Sequence, residues 1–239
     1  MFLPTTKKEV QALGWDALDV ILVTGDTYID SSYIGVAVIG KVLLDAGWRV
    51  GIIAQPDVSG GKDIARLGEP ALFWGVTAGC MDSMIANYTP TKKPRKNDDL
   101  TAGGQNTRRP DRAAIVYTNL IRRYFKNTAP IVLGGIEASL RRISHYDFWS
   151  NSVRRSILFD AKADVLVYGM GEKTVIELAR RLRAGTAITD LRGICYIAKE
   201  KPEDFIELAA HDRVKDDVSE FQAVFARFYE NNDPVRARG

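Results

Sequence analysis

Apolar positions along the chain fall into two alternating patterns, short unbroken runs and stripes of helical period. Residues 19–24, DVILVT, form an unbroken β-branched run, the pattern of a parallel strand covered on both faces. Helical spacing follows in GVAVIGKVLLDAG, where Val36, Ile39 and Leu43 share one stripe and Gly47 stands at the C-cap. Residues 48–56, WRVGIIAQP, read as a second strand closed by proline, and residues 71–79, ALFWGVTAG, as a third. Ala113, Val116, Tyr117, Leu120, Ile121 and Tyr124 then predict a helix over 112–125. Residues 130–135 and 163–172 supply a fourth and a fifth strand, and KTVIELARRLRAG repeats the helix with its closing glycine. GICYIA, residues 193–198, is a candidate sixth. Strand and helix in this rhythm predict an α/β fold, a doubly wound, mainly parallel sheet of five or six strands.

Two segments leave that rhythm. Residues 89–112, TPTKKPRKNDDLTAGGQNTRRPDR, are almost devoid of apolar side chains and read as a long mobile basic insertion. Past Lys199 the chain is charged and mainly helical and ends in DPVRARG, which reads as a linker. The expected organisation is an α/β domain over 1–199 and a helical extension over 200–239.

Composition narrows the classes. A hydrophobic fraction of 46% and a charged fraction of 26% are those of a globular protein. No apolar run reaches the roughly 18 residues of a spanning helix, and the N-terminus lacks the apolar core of a signal peptide. No membrane partner is therefore expected. Cys80 and Cys195 stand far apart, which points to a reducing, cytoplasmic setting without a disulfide framework. The only histidines are His145 and His211, so zinc or haem ligation has little support. A net charge of +3 is too small to imply a nucleic-acid partner.

Unusual residues gather where the strands end, the place where open parallel sheets bind ligands. They are Gly25-Asp26-Thr27, then Gly79-Cys80, Gly134-Gly135 and Gly169-Met170-Gly171-Glu172. Such turns are glycine-rich with or without a ligand; it is the four together that favour a binding edge. Gly169-Met170-Gly171-Glu172 does not complete a dinucleotide fingerprint, because Thr174 stands where the last glycine or alanine belongs. Glu172 is explained equally by the helix dipole and by ligand contact. Cys80 reads as a small hydrophobe more readily than as a nucleophile. Arg141, Arg142, Arg154 and Arg155, interleaved with aromatic residues, suit RNA or a docking face equally.

Residues 25–35, GDTYIDSSYIG, contain a D-x-S-x-x-G spacing that resembles the D-x-H-x-x-G loop of cobalamin-binding domains, with Ser32 at the axial position. Longer blocks carry a more specific resemblance: MFLPTT followed by GWD, then VTGDTYID, RVGIIAQP, RPDRAAIVYTNLIRR, GGIEASLRRISHYDFW, VRRSILFDAKADVLVYGMGE and LRGICYI. Together they resemble the N-terminal portion of the YgiQ-type radical SAM proteins, a family of undetermined reaction. The resemblance implies an α/β domain similar to cobalamin-binding domains, placed before a radical SAM barrel. That barrel would carry a C-x-x-x-C-x-x-C motif, a [4Fe-4S] cluster and S-adenosylmethionine. This chain has no such motif, and its two cysteines fall short of three thiolates. The expectation is a fragment, or half of a split protein, catalytically silent by itself and without a cofactor of its own.

On this reading the partners are the barrel, in cis beyond Gly239 or as a separate chain, and an unidentified small-molecule substrate. If binding extends to the strand ends, the residues implied are Asp26, Thr27, Ser32, Gly79, Cys80, Gly134, Gly135 and Glu172, with no catalytic or metal-binding residue. Ser32 offers no imidazole, so a base-off corrinoid is admissible as cofactor but not favoured. Three functions compete: an accessory domain shaping the substrate side of the barrel, a free-standing small-molecule or corrinoid-binding module, and, weakest, an RNA-binding adaptor.

Overall fold

In the computed structural model, which describes residues 2–29, 34–201 and 205–231, the apolar run after Asp19 forms β1 (Val20–Thr24) with all five residues buried. Alternate side chains feed separate cores: Val20 and Leu22 one, Ile21 and Val23 the other. Six strands continue this two-faced sheet in the order β2-β1-β3-β4-β7-β8. They are β1, β2 (Val50–Ala54), β3 (Phe73–Thr77), β4 (Ile131–Leu133), β7 (Val165–Val167) and β8 (Ile194–Tyr196). The first five run parallel and β8 joins antiparallel at the edge.

Helices cover both faces. On one lie α2 (Ile34–Asp45) and α7 (Glu172–Ala184), burying Val36, Leu43, Val175 and Leu178. On the other lie α1 (Lys7–Ala12), α4 (Ala113–Tyr124), α5 (Gly135–Leu140) and α6 (Ile157–Ala161), contributing Val10, Tyr117, Ile121, Ala138 and Leu158. Short α3 (Ser83–Asn87) follows β3. At the base of β1 the Asp19 carboxylate accepts Arg49 Nε at 3.0 Å and Arg183 Nη2 at 2.5 Å. Burial would raise the Asp19 carboxyl; the Arg49 bonds outweigh it and hold it below the usual carboxylate range.

The chain divides into two units, Met1–Arg142 with Ile157–Tyr196, and Ile143–Ser156 with Ile197–Gly239. The second contains a hairpin, β5 (His145–Asp147) and β6 (Ser152–Arg154), with α8 (His211–Asp216) and α9 (Val218–Glu230). Within it Ser144 Oγ and His211 Nδ1 lie 3.0 Å apart. A single boundary near Lys199 therefore misses residues 143–156, which group with the C-terminal helices.

The expected mobile insertion at 89–112 is corrected. It folds as a strap against the ends of β1 and β2, with Asp98, Leu100, Thr101 and Arg109 all buried. Thr27 N donates to Leu100 O at 2.9 Å, and Gln55 Nε2 donates to Gly25 O at 2.9 Å and Thr101 Oγ1 at 2.7 Å. The expectation failed because it weighed only apolar burial, whereas these polar groups satisfy one another.

Candidate functional site

β2 and β3 flank β1, and the chain leaves β1 toward β2 but β3 toward β4, so the loops after β1 and β3 diverge and open a crevice at the sheet's C-terminal edge. Beneath that edge, on the α2/α7 face, lies a cavity of about 270 Å³. Its walls are aliphatic and aromatic, from Leu22, Val36, Phe73, Val132, Val167 and Val175 among others. Thr77 and Glu172 supply the polar side chains in the lining. Glycines form much of the rest. Gly134 is extended (φ −153°), a conformation open to any residue, and a Cβ there would meet nothing nearer than 3.9 Å. Neither backbone nor packing demands glycine at 134; the missing side chain leaves room in the cavity. Gly135 differs: its φ is +79°, and a Cβ would come within 2.3 Å of Thr77 Oγ1.

A second cluster sits beside the cavity, at the end of β1. Asp26 is buried, accepting Cys80 N at 2.6 Å and Arg109 Nη2 at 3.1 Å. Arg109 also donates to Asp98 Oδ2 at 3.1 Å, so one buried guanidinium bridges two buried carboxylates. Burial pushes the Asp26 carboxyl up, opposed by the Cys80 amide and Arg109. Partial burial and the Asp26 carboxylate also push the Cys80 thiol up to about 11. The thiol is therefore protonated at neutral pH, the wrong state for a nucleophile.

A third group fixes the loops. Glu137 is 2% exposed; its Oε2 accepts Ser83 N at 2.8 Å and Ser83 Oγ at 2.6 Å, and its Oε1 accepts Ala114 N at 3.1 Å. Helix α4 begins at left-handed Arg112 with no side-chain cap of its own, so Glu137 and Ser83 Oγ serve its first amides. Asp82 caps α3 through Met84 N at 2.9 Å and pairs with Arg141 at the end of α5.

Of the strand-end residues singled out in the sequence, Gly79, Gly134, Gly135 and Glu172 line the cavity. Asp26, Thr27 and Cys80 lie outside it, in the polar network that ties the strap down. Ser32 falls among residues 30–33, outside the described residues. Glu172 opens α7 directly after Gly171. Thr77 and Glu137 stand in the strand-end stretches TAGCMDS and GGIEAS without being singled out, and sequence reasoning missed Arg109, Asp98 and Gln55. A lone acid in GGIEAS and an arginine in a polar loop carry no periodic signal; only the three-dimensional pairing reveals them.

The family described as radical SAM N-terminal matches residues 2–239. A UPF0313 protein of Fusobacterium nucleatum is 54% identical over 239 residues, covering 100% of this chain and 42% of the relative. A UPF0313 protein of Thermotoga neapolitana is 58% identical over 224 residues, covering 92% of this chain and 39% of the relative. The chain thus spans about two fifths of the length of these relatives. Among solved structures, the radical S-adenosylmethionine methyltransferase TsrM of Kitasatospora setae, with cobalamin and a [4Fe-4S] cluster bound, superposes with TM-score 0.53 at 18% identity. That match covers 77% of this chain and 29% of TsrM and shows the shared fold. Matched over residues 2–239 and more than half identical to these relatives, the chain belongs to the radical SAM N-terminal family, in the UPF0313/YgiQ-type group.

Proposed function

We propose that this chain is the ligand-holding accessory domain of a radical SAM protein whose cluster and S-adenosylmethionine reside in a further part of the longer polypeptide. The observation that carries the reading is the glycine-lined apolar cavity of about 270 Å³ at the sheet's C-terminal edge. Its walls select a flat, apolar ring, and its opening at the strand ends leaves the polar remainder of the ligand outside. Glu172, on the first turn of α7, favours a ring bearing a hydrogen-bond donor or positive charge.

One occupant of that chemistry is the base-bearing tail of a corrinoid, the cofactor carried by TsrM. The residues present fit such a tail: Gly134 leaves the space a side chain would fill, and Val36, Phe73 and Val175 supply flat apolar walls. A corrinoid, when bound, supplies a reactive cobalt; this chain's part is to hold the tail and keep water from it. With serine at position 32 the D-x-S-x-x-G loop gives the cobalt no imidazole.

The test uses hydroxocobalamin and, separately, 5,6-dimethylbenzimidazole. Binding of the free base, read by calorimetry, with loss of at least tenfold in affinity for Gly134→Val, is the expected result. Gly134→Val is expected to fold normally, since its Cβ meets only ordinary contacts. Cobalamin co-eluting with the protein on gel filtration supports the corrinoid version, and a colourless protein peak sinks it. Failure of both probes, or equal binding by the variant, removes the cavity as the ligand site.

A further inference from the structure

The three loops that follow β3, β4 and β7 are tied together by polar bonds. Glu137 on α5 takes Ser83 of α3 in a buried bond, Asp82 at the cap of α3 pairs with half-buried Arg141 after α5, and at the surface Ser139 Oγ accepts Gly169 N at 3.3 Å from the β7 loop. Asp82, Ser83, Glu137, Ala138 and Gly171 are buried. The large hydrophobic side chains exposed beside them are Met81 and Ile85, Ile136 and Leu140, and Met170. Their exposures are 40% and 58%, 48% and 61%, and 90%. Ile136 and Leu140 are spaced i, i+4 and share one face of α5. Met170 also lines the cavity, so this apolar rim borders the cavity opening.

Five exposed apolar side chains on a rigid polar scaffold are an unusual investment for a surface that meets only water. The relatives are longer than this chain by more than half of their own length. We infer that this rim is the docking surface for the remainder of the radical SAM polypeptide, which seats on Met81, Ile85, Ile136, Leu140 and Met170 and closes the cavity mouth. The inference rests on the proposed accessory role but not on any particular ligand. Rigid presentation lowers the entropic cost of docking, because the loops need no ordering when the partner arrives. Methionine at two of the five positions adapts to an irregular partner surface.

Hydrogen–deuterium exchange tests this with two proteins, this chain and the full-length Fusobacterium nucleatum relative. Amides in the stretches 79–86, 135–141 and 168–171 are expected to exchange at least tenfold more slowly in the full-length protein than in this chain. Amides around the Asp19–Arg49 end, expected to exchange equally in the two proteins, serve as the reference. A chimera carrying this chain in place of the matched region is expected to show the same protection, reversed by Leu140→Asp with Met170→Asp. Equal exchange in the two proteins overturns the inference, as does protection confined to another face. Concentration-dependent protection in this chain alone, with a dimer in sedimentation, assigns the rim to a second copy and equally overturns it. Rim protection without binding of either cavity probe would leave the docking surface standing and remove only the ligand reading.

Discussion

At the scale of single residues, the molecule places its carboxylates where they hold loops. Glu137 serves three donors from two elements, so truncation to alanine strands Ser83 N, Ser83 Oγ and Ala114 N in a buried site. Each unsatisfied group costs about 1–3 kcal/mol, and Glu137→Ala is expected to lose about 3 kcal/mol or more in urea unfolding with an unchanged m value. Glu137→Gln, which keeps an acceptor oxygen, should lose less. Asp19 offers a pH readout. Its carboxyl is depressed in the folded chain, so its contribution is complete above the unfolded carboxylate value of about 3.9. That contribution is lost as pH falls through the lower folded value. Asp19→Asn should therefore destabilise at pH 7 and flatten the acid limb of the stability profile below about pH 4, measured by thermal unfolding across pH.

At the scale of elements, the strap over 89–112 is held by charge where the sheet is held by apolar burial. Replacing Arg109 with methionine leaves Asp26 and Asp98 buried without their shared cation, a change on the order of 3–5 kcal/mol. Strap release is the expected form of the damage. In Arg109→Met, trypsin should cut after Lys92, Arg95 or Lys96 well before the rest of the chain, while in the native protein those sites should resist. The sheet was legible from sequence because period and β-branching are local signals: all five parallel strands fall inside the runs read from the sequence, β1 trimmed only at its start and the others at both ends. Helix α4 was equally plain, from six apolar positions at helical spacing. The strap was misread because its burial depends on partners 45 to 83 residues away, such as Gln55 for Leu100 and Asp26 for Arg109. The β5–β6 hairpin and the short helices α3, α5 and α6 were missed because three to six residues cannot establish a period.

At the scale of the whole molecule, the sheet has a tied end and an end that carries the proposed ligand site. Asp19, Arg49 and Arg183 tie the N-terminal edge of the sheet, while the C-terminal edge gathers the cavity, the Asp26 network and the apolar rim. Among the described residues no helix is long and apolar enough to cross a membrane. The candidate site was half visible beforehand: glycine pairs at strand ends marked the cavity edge, but nothing in the one-dimensional pattern said which of them stayed open. Gly79 has φ +117°, and the Cβ it lacks would lie 2.1 Å from Asp26 Oδ1. The carboxylate that organises the edge occupies the room that a side chain at 79 would take. The two positions are therefore coupled: with Asp26 in place a side chain at 79 has no room, and the φ of +117° disfavours one there even without the acid.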